Sequence, residues 1–234
     1  MPTSPYITVN DTAMAAKAIY KNLDIQDGRF VLTGGYFDPK NDDRLGWAKE
    51  GDAGGASTGL YKFKYHEKMY IISIRGSKGK KDWVDDDASI GAGNMPDRAS
   101  DCIKYVNDLK QVYPDSFLLV VGHSLGGYLA QVVGVVCDLP FVTYNAPPAL
   151  GTFSGKIAGG TDPHKFRQGL NFRVNWDPVS KAPGTHVGPL IKLPHVGFNV
   201  ANAHTNGAIE KSMAQAKFKD TAAMAFITAA NRGL

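Results

Sequence analysis

The chain has no run of apolar residues approaching the length of about 18 that spans a bilayer, so no transmembrane helix is expected. It also lacks a basic segment followed by a long apolar core within Met1–Tyr20, the mark of a Sec-type leader. Those two absences leave the compartment open between a cytoplasmic protein, one secreted by a non-classical route and a mature chain with its leader removed. Basic residues never form a block of five: Lys and Arg total 26 against 22 Asp and Glu, a net charge of +4. That balance speaks against nucleic-acid binding and leaves room for transient contact with a membrane or lipid surface. Only two cysteines occur, Cys102 and Cys137, both inside helical patterns where a thiol behaves as a small buried hydrophobe. No disulfide is required. The acidic triplet Asp85-Asp86-Asp87 lacks the ligand spacing and the sixth-position glycine of a calcium loop, and reads as a solvated turn.

What the chain does have is glycine, 26 of 234 residues, which suits a fold with many tight turns. Its length fits one α/β domain over residues 1–234 that needs no staples. A helix is expected from a cap at Asn10 or Asp11 to about Leu23. Thr33–Gly59 reads as loop, and Gly59–Tyr65 with Met69–Arg75 as a hairpin whose second strand is the more central. Asp97 is positioned to cap a helix with Ala99, Cys102, Ile103, Val106 and Leu109 on one face. A strand over Ser116–Val121, a helix over Gly126–Cys137 and a strand over Leu139–Asn145 follow. Gly151–Gly169, which carries His164, reads as loop, and Asn171–Asn175 as a strand. A last helix is expected from Asp220 to about Ala230.

The most informative stretch is Phe117-Leu-Leu-Val-Val-Gly-His-Ser-Leu-Gly-Gly127, an apolar strand running straight into a helical pattern. In that context Gly122-His123-Ser124-Leu125-Gly126 reads as a nucleophile elbow, with Ser124 held out at the tip of a sharp turn. Glycines two residues either side leave room for the bend. The Leu125 N–H falls in the first helical turn, where backbone donors are unpaired and the dipole favours negative charge, so it is a candidate oxyanion donor.

Two further motifs stand in order around it. Arg75-Gly76-Ser77 closes the strand Met69–Ile74 and is followed by Asp82-Trp83, and Trp176-Asp177-Pro178-Val179 closes the strand Asn171–Asn175. Together with Gly-His-Ser-Leu-Gly-Gly they resemble the class 3 lipases of the α/β-hydrolase superfamily. The resemblance covers about Gly59 to Met213. It implies an α/β-hydrolase fold, a mostly parallel sheet flanked by helices with its elbow at Ser124. It further implies that Ser77 supplies the second oxyanion donor and that Asp177 is the acid of a catalytic triad.

Six histidines compete for the base. The order Ser, acid, His removes His66, His123 and His164, leaving His186, His195 and His204. In the family, the base opens the C-terminal helix after a small residue and downstream of a segment like Pro194-His195-Val196-Gly197. Ala203-His204-Thr205-Asn206 fits that description, so His204 is the favoured base, with His195 and His186 as alternatives.

The expectation is a serine ester hydrolase of lipase, carboxylesterase or phospholipase A1 type. It would need no metal and no organic cofactor, and would take an ester or lipid as its small-molecule partner. Only Val84–Pro96 is available as a lid, which leans toward esterase or phospholipase activity rather than bulk-fat lipolysis. Acyl transfer to another alcohol, an antibacterial lipase-type effector and, last, a silent binding module are the alternatives. Oligomeric state, acyl length and headgroup are left open.

Overall fold

The apolar run that leads to Ser124 becomes the central strand of the computed structural model, β4 (Phe117–His123), with all 7 residues buried. The structure describes residues 7–20, 30–35, 58–64, 67–77, 97–153, 166–197 and 202–216. His66, the Asp82-Trp83 pair, the acidic run 85–87, the short lid segment 84–96, His164 and the helix expected from Asp220 lie outside them.

Around β4 lie β1 (Phe30–Gly35), β2 (Thr58–Phe63), β3 (Met69–Ile74), β5 (Phe141–Tyr144), β6 (Gly169–Val174) and β7 (Leu190–Leu193). They stand side by side in chain order; β1, β2 and β3 are antiparallel neighbours, and β3 through β7 are parallel. The register sets Ile71 opposite Leu119 and Val121 opposite Val142. Parallel strands covered on both faces must be apolar throughout, which is why Leu118–Val121 shows no polar alternation. Such a sheet gathers its site at the C-terminal strand ends, and the ends of β3, β4 and β6 carry the three motifs read from the sequence.

Successive side chains of a strand point to opposite faces. Phe117, Leu119, Val121, Val142 and Phe172 meet α1 (Val9–Ala18) and the Ile209 face of α4 (Asn206–Gln215). Leu118, Val120, Ile72 and Ile74 meet α2 (Asp97–Val112) and α3 (Leu125–Cys137). Leu129, Val132 and Val133 of α3 are fully enclosed, each a side chain whose burial stabilises the fold by about 1.5–3 kcal/mol. Cys102 and Cys137 are free and buried between α2 and α3, and burial pushes their thiols up to about 12 and about 11. They pack as hydrophobes, as expected. Among the described residues no helix is long and apolar enough to cross a membrane.

Three local expectations need correction. Helix α1 is capped by Thr8, not by Asn10 or Asp11, and its last helical residue is Ala18 rather than one near Leu23. The Thr8 hydroxyl accepts from the Asp11 N–H while the Asp11 carboxylate accepts from the Thr8 N–H, so the acidic residue is the reciprocal partner in a capping box. Residues 33–35, read as loop, belong to β1, where Gly34 and Gly35 erase the alternation that marks a strand. β7 was not anticipated, because four residues between Pro189 and Pro194 are too few to show a period.

Gly126 shows how tightly the helix start is pressed on the sheet. A Cβ there would strike the Ile74 carbonyl oxygen and come within 2.8 Å of the main chain at Arg75 and Gly76. Neither is a flexible side chain, so the helix must shift. Gly126→Ala is expected to cost ~3 kcal/mol, near the upper end for overpacking, and to lower Tm by roughly 6–12 °C for a domain of this size. Gly151→Ala, where a Cβ meets nothing within 4 Å, should change stability by no more than about 0.5 kcal/mol. Thermal unfolding of the pair checks both.

Candidate active site

Ser124 sits between β4 and α3 with φ 58° and ψ −132°, a conformation that L residues rarely adopt. The bend is possible because position 122 carries no side chain: a Cβ there would collide with the Gly126 carbonyl and lie 2.6 Å from the Gly127 nitrogen. The strain turns the Ser124 side chain away from the strand. Leu125 follows as the first residue of α3, so its N–H has no acceptor four residues back within the helix. The segment leaving β3 runs alongside. A Cβ on Gly76 would be 3.3 Å from Ser124 Cβ, and Ser77 follows at once, half-buried. The segment that carries Ser77 therefore packs at Gly76 against the serine, beside the helix start that carries Leu125.

His204 arrives from the turn before α4. Its Nε2 lies 2.7 Å from Ser124 Oγ, and its Nδ1 lies 2.8 Å from Asp177 Oδ1. A carboxylate only accepts, so Nδ1–H donates to it, Nε2 of the neutral ring is left as acceptor, and the serine hydroxyl donates. The His204 side chain is 20% exposed and that of Asp177 not at all, so the ring is reachable from solvent while the carboxylate is sealed behind it. His204 does not itself open the helix: Thr205 is the cap of α4, its hydroxyl accepting from the Ala208 N–H. The alternatives His186 and His195 hydrogen-bond neither Ser124 nor Asp177.

Asp177 follows β6 after Trp176, whose φ of 72° turns the chain inward. Its Oδ1 also accepts from the Val179 N–H at 3.3 Å and its Oδ2 from the Ser180 N–H at 3.0 Å, an Asx turn closed by the Pro178 exit. Burial raises the pKa of this carboxyl, but the hydrogen bond and charge of His204 and the bonds from Ser180 outweigh it and hold it below the ordinary value.

Several supporting residues were missed by the sequence reading. Asn145, just past β5 at φ 47°, donates from Nδ2 to the Ala203 carbonyl at 2.9 Å and accepts from the Val174 N–H at 2.8 Å, tying the residue before His204 to β6. Gln131, a polar residue in the otherwise apolar α3, bridges the Pro147 carbonyl at 2.9 Å and the Val187 N–H at 3.1 Å. His123, excluded as a base, is buried beside His204 with ring centroids 5.0 Å apart. Its Nε2 is 2.7 Å from the His204 carbonyl oxygen and its Nδ1 is 3.0 Å from the Tyr20 hydroxyl. A polar residue inside an apolar element is the one sequence signal that could have flagged Gln131; nothing local marks the others.

The sequence profile of a phospholipase-like family, the Tle-like phospholipase domain, matches residues 11–224. The chain belongs to that family. The fold of this Tle-like domain is similar to that of the Lip2 lipase from Yarrowia lipolytica, at 17% identity, a TM-score of 0.52 and 84% coverage of each chain. A triacylglycerol lipase from Penicillium expansum gives 16% identity and a TM-score of 0.48 over 80% of this chain and 79% of that one. ATG15 proteins carrying the name lipase, from Mycosarcoma maydis and Candida glabrata, are 44% and 42% identical over 41 and 48 residues. Those stretches are 18% and 20% of this chain but only 8% and 10% of theirs, so this chain matches a small part of those relatives. The likeness to lipases read from three motifs is thus a likeness of fold, the α/β-hydrolase architecture that this Tle-like domain shares with Lip2 over most of its length.

Proposed function

We propose that this Tle-like domain cleaves carboxylic esters of lipids through an acyl-enzyme on Ser124. The observation that carries the reading is the unbroken hydrogen-bonded line Asp177–His204–Ser124, at 2.8 and 2.7 Å. Ser124 Oγ attacks the ester carbonyl carbon as its proton passes to His204 Nε2, and the imidazolium so formed is stabilised by Asp177. The carbonyl electrons move onto oxygen, opposite the Leu125 N–H and the Ser77 donors, each such donor supplying about 10²–10³ in kcat. Collapse expels the alcohol, which takes the proton from His204. A water then attacks the acyl-serine by the same proton path, releasing the acid and restoring the Ser124 hydroxyl. No step calls on a metal or an organic cofactor.

Among lipid esters, the family's phospholipase-like description favours a glycerophospholipid acyl ester over neutral fat. A fluorophosphonate probe is expected to label the protein at one site, mapped by peptide mass spectrometry to Ser124. A series of p-nitrophenyl esters, triacylglycerols and diacyl phospholipids is expected to give the highest kcat/KM on phospholipid, with fatty acid and lysophospholipid as products. Absence of labelling would remove the nucleophile. Turnover of triacylglycerol alone would overturn the substrate class and leave the chemistry standing.

A further inference from the structure

Beneath the candidate triad lies a second line of hydrogen bonds that the ester-cleavage reading does not use. His123 is 5% exposed and occupies both of its ring nitrogens. A carbonyl oxygen only accepts, so His123 Nε2–H must donate to the His204 carbonyl at 2.7 Å. That fixes the tautomer and leaves Nδ1 as an acceptor, so the Tyr20 hydroxyl at 3.0 Å donates to it. The Tyr20 oxygen in turn takes a hydrogen bond from the Gly76 main chain. Position 76 is glycine where this contact is made: a Cβ there would be 2.5 Å from the Tyr20 oxygen and 2.8 Å from the His123 carbonyl. The line therefore runs from Gly76 N–H to Tyr20 O–H to His123, and from His123 to the His204 carbonyl.

We propose that Tyr20 and His123 form a buried positioning relay that ties the main chain beside the oxyanion segment to the main chain of His204, and so holds the His204 ring at Ser124. The need for it is local. His204 lies in a turn, outside regular structure, and the bonds of Thr205, to the Asn202 carbonyl and the Ala208 N–H, close that turn and cap the helix without tying either to the sheet. Asn145 holds the Ala203 carbonyl and His123 holds the next one, so two consecutive peptide units are fixed from below. Burial, with the neighbouring His204 adding to it, lowers the His123 pKa to about 3. The ring therefore stays neutral and places no second positive charge beside the imidazolium that forms on His204. Tyr20 follows α1, 103 residues away from His123 in the chain, so the relay makes the N-terminal helix a structural part of the site.

The proposal rests on Ser124, Asp177 and His204 being the reacting groups, and its test keeps the two ideas apart. Tyr20→Phe, His123→Gln, His123→Leu and the Tyr20→Phe/His123→Leu double variant are compared with Ser124→Ala for turnover of a p-nitrophenyl ester, fluorophosphonate labelling rate and thermal unfolding. Tyr20→Phe removes one oxygen and is expected to lower kcat about 10-fold, less than the loss of about 10²-fold that a full 1 Å misplacement brings. KM should stay within about 2-fold, because the loss falls on the reacting geometry and not on substrate binding, and the labelling rate should fall in step with kcat. His123→Gln, whose amide N–H reaches toward the same carbonyl, should recover much of what His123→Leu loses. Groups acting in one line are non-additive, so the double variant should be no slower than His123→Leu alone. Wild-type kcat in Tyr20→Phe, or losses that simply multiply in the double variant, would overturn the relay. If His123→Leu does not fold, Tyr20→Phe and His123→Gln decide by the same kcat criterion. Should Ser124→Ala retain turnover, it is the triad reading that has failed.

Discussion

Ser124→Ala is expected to lower kcat on a short p-nitrophenyl ester about 10⁶-fold, the scale of loss when the nucleophile of such a unit is removed. KM should hardly move, because the oxygen removed acts on the carbonyl in the transition state. The protein should stay folded, since the Ser124 side chain makes a hydrogen bond to His204 and alanine leaves the main-chain bonds of the elbow in place. Stability offers an independent check on the same residue. At φ 58° and ψ −132° a side chain of any kind is strained and glycine is not. Ser124→Gly is therefore expected to be as inactive as Ser124→Ala but more stable than it by ~1–2 kcal/mol, the cost of a residue held in a sparsely populated region. Equal unfolding midpoints for the two variants would show that the elbow stores no strain. Turnover within about 100-fold of wild type in either would remove Ser124 from the chemistry.

The parts of the molecule legible in the sequence are those that local physics marks. The elbow announces itself because an apolar strand, two glycines and a helix start fall within one stretch of eleven residues, Phe117–Gly127. Asp177, at a strand end before proline, and His204, after a small residue, were singled out through the resemblance to class 3 lipases. The helices α2 and α3 and the hairpin of β2 and β3 follow from period and turn chemistry. What was not legible is long-range or too short to carry a period. The bonds of Tyr20 to His123, His123 to His204 and Asn145 to Ala203 link residues 103, 81 and 58 positions apart, and no pattern in the chain connects them. His123 was set aside as a base by chain order, and also because the residue before the nucleophile points elsewhere. Where it points is toward the main chain of His204, which only the fold could reveal. The edge strands β1 and β7 failed for a simpler reason, glycine in one and brevity in the other.

Asp177→Asn should cut kcat about 10⁴-fold while leaving the site's shape nearly unchanged. The reason lies in the donors around the carboxylate. The Ser180 N–H points at Oδ2, the Val179 N–H at Oδ1, and the His204 Nδ1–H at Oδ1 as well. An amide has only one oxygen. If it faces Ser180, the amide gives up only the longer bond, from Val179 at 3.3 Å, and its NH₂ faces His204, where it can be accommodated only when Nδ1 gives up its proton and becomes an acceptor. The proton then resides on Nε2, which faces Ser124 Oγ and can no longer take the serine's hydrogen. If the amide turns the other way, its NH₂ meets the Ser180 N–H, and a buried donor loses its partner at about 1–3 kcal/mol. Activity should thus fall through the wrong tautomer rather than through collapse, so the variant should stay folded at neutral pH, less stable than wild type by what the ionised carboxylate contributes. Acidification brings the two proteins together. The folded Asp177 carboxyl has a pKa below its unfolded value, so its contribution to stability is complete above the ordinary carboxylate range and is lost as pH falls through the lower, folded value. The stability difference between wild type and Asp177→Asn should accordingly shrink on going from pH 6 toward the most acid conditions in which both still fold. A difference that grows on acidification would mean that Asp177 is not held ionised by His204 and Ser180. Asp177→Asn with wild-type kcat would mean that the tautomer of His204 is set by something other than Asp177.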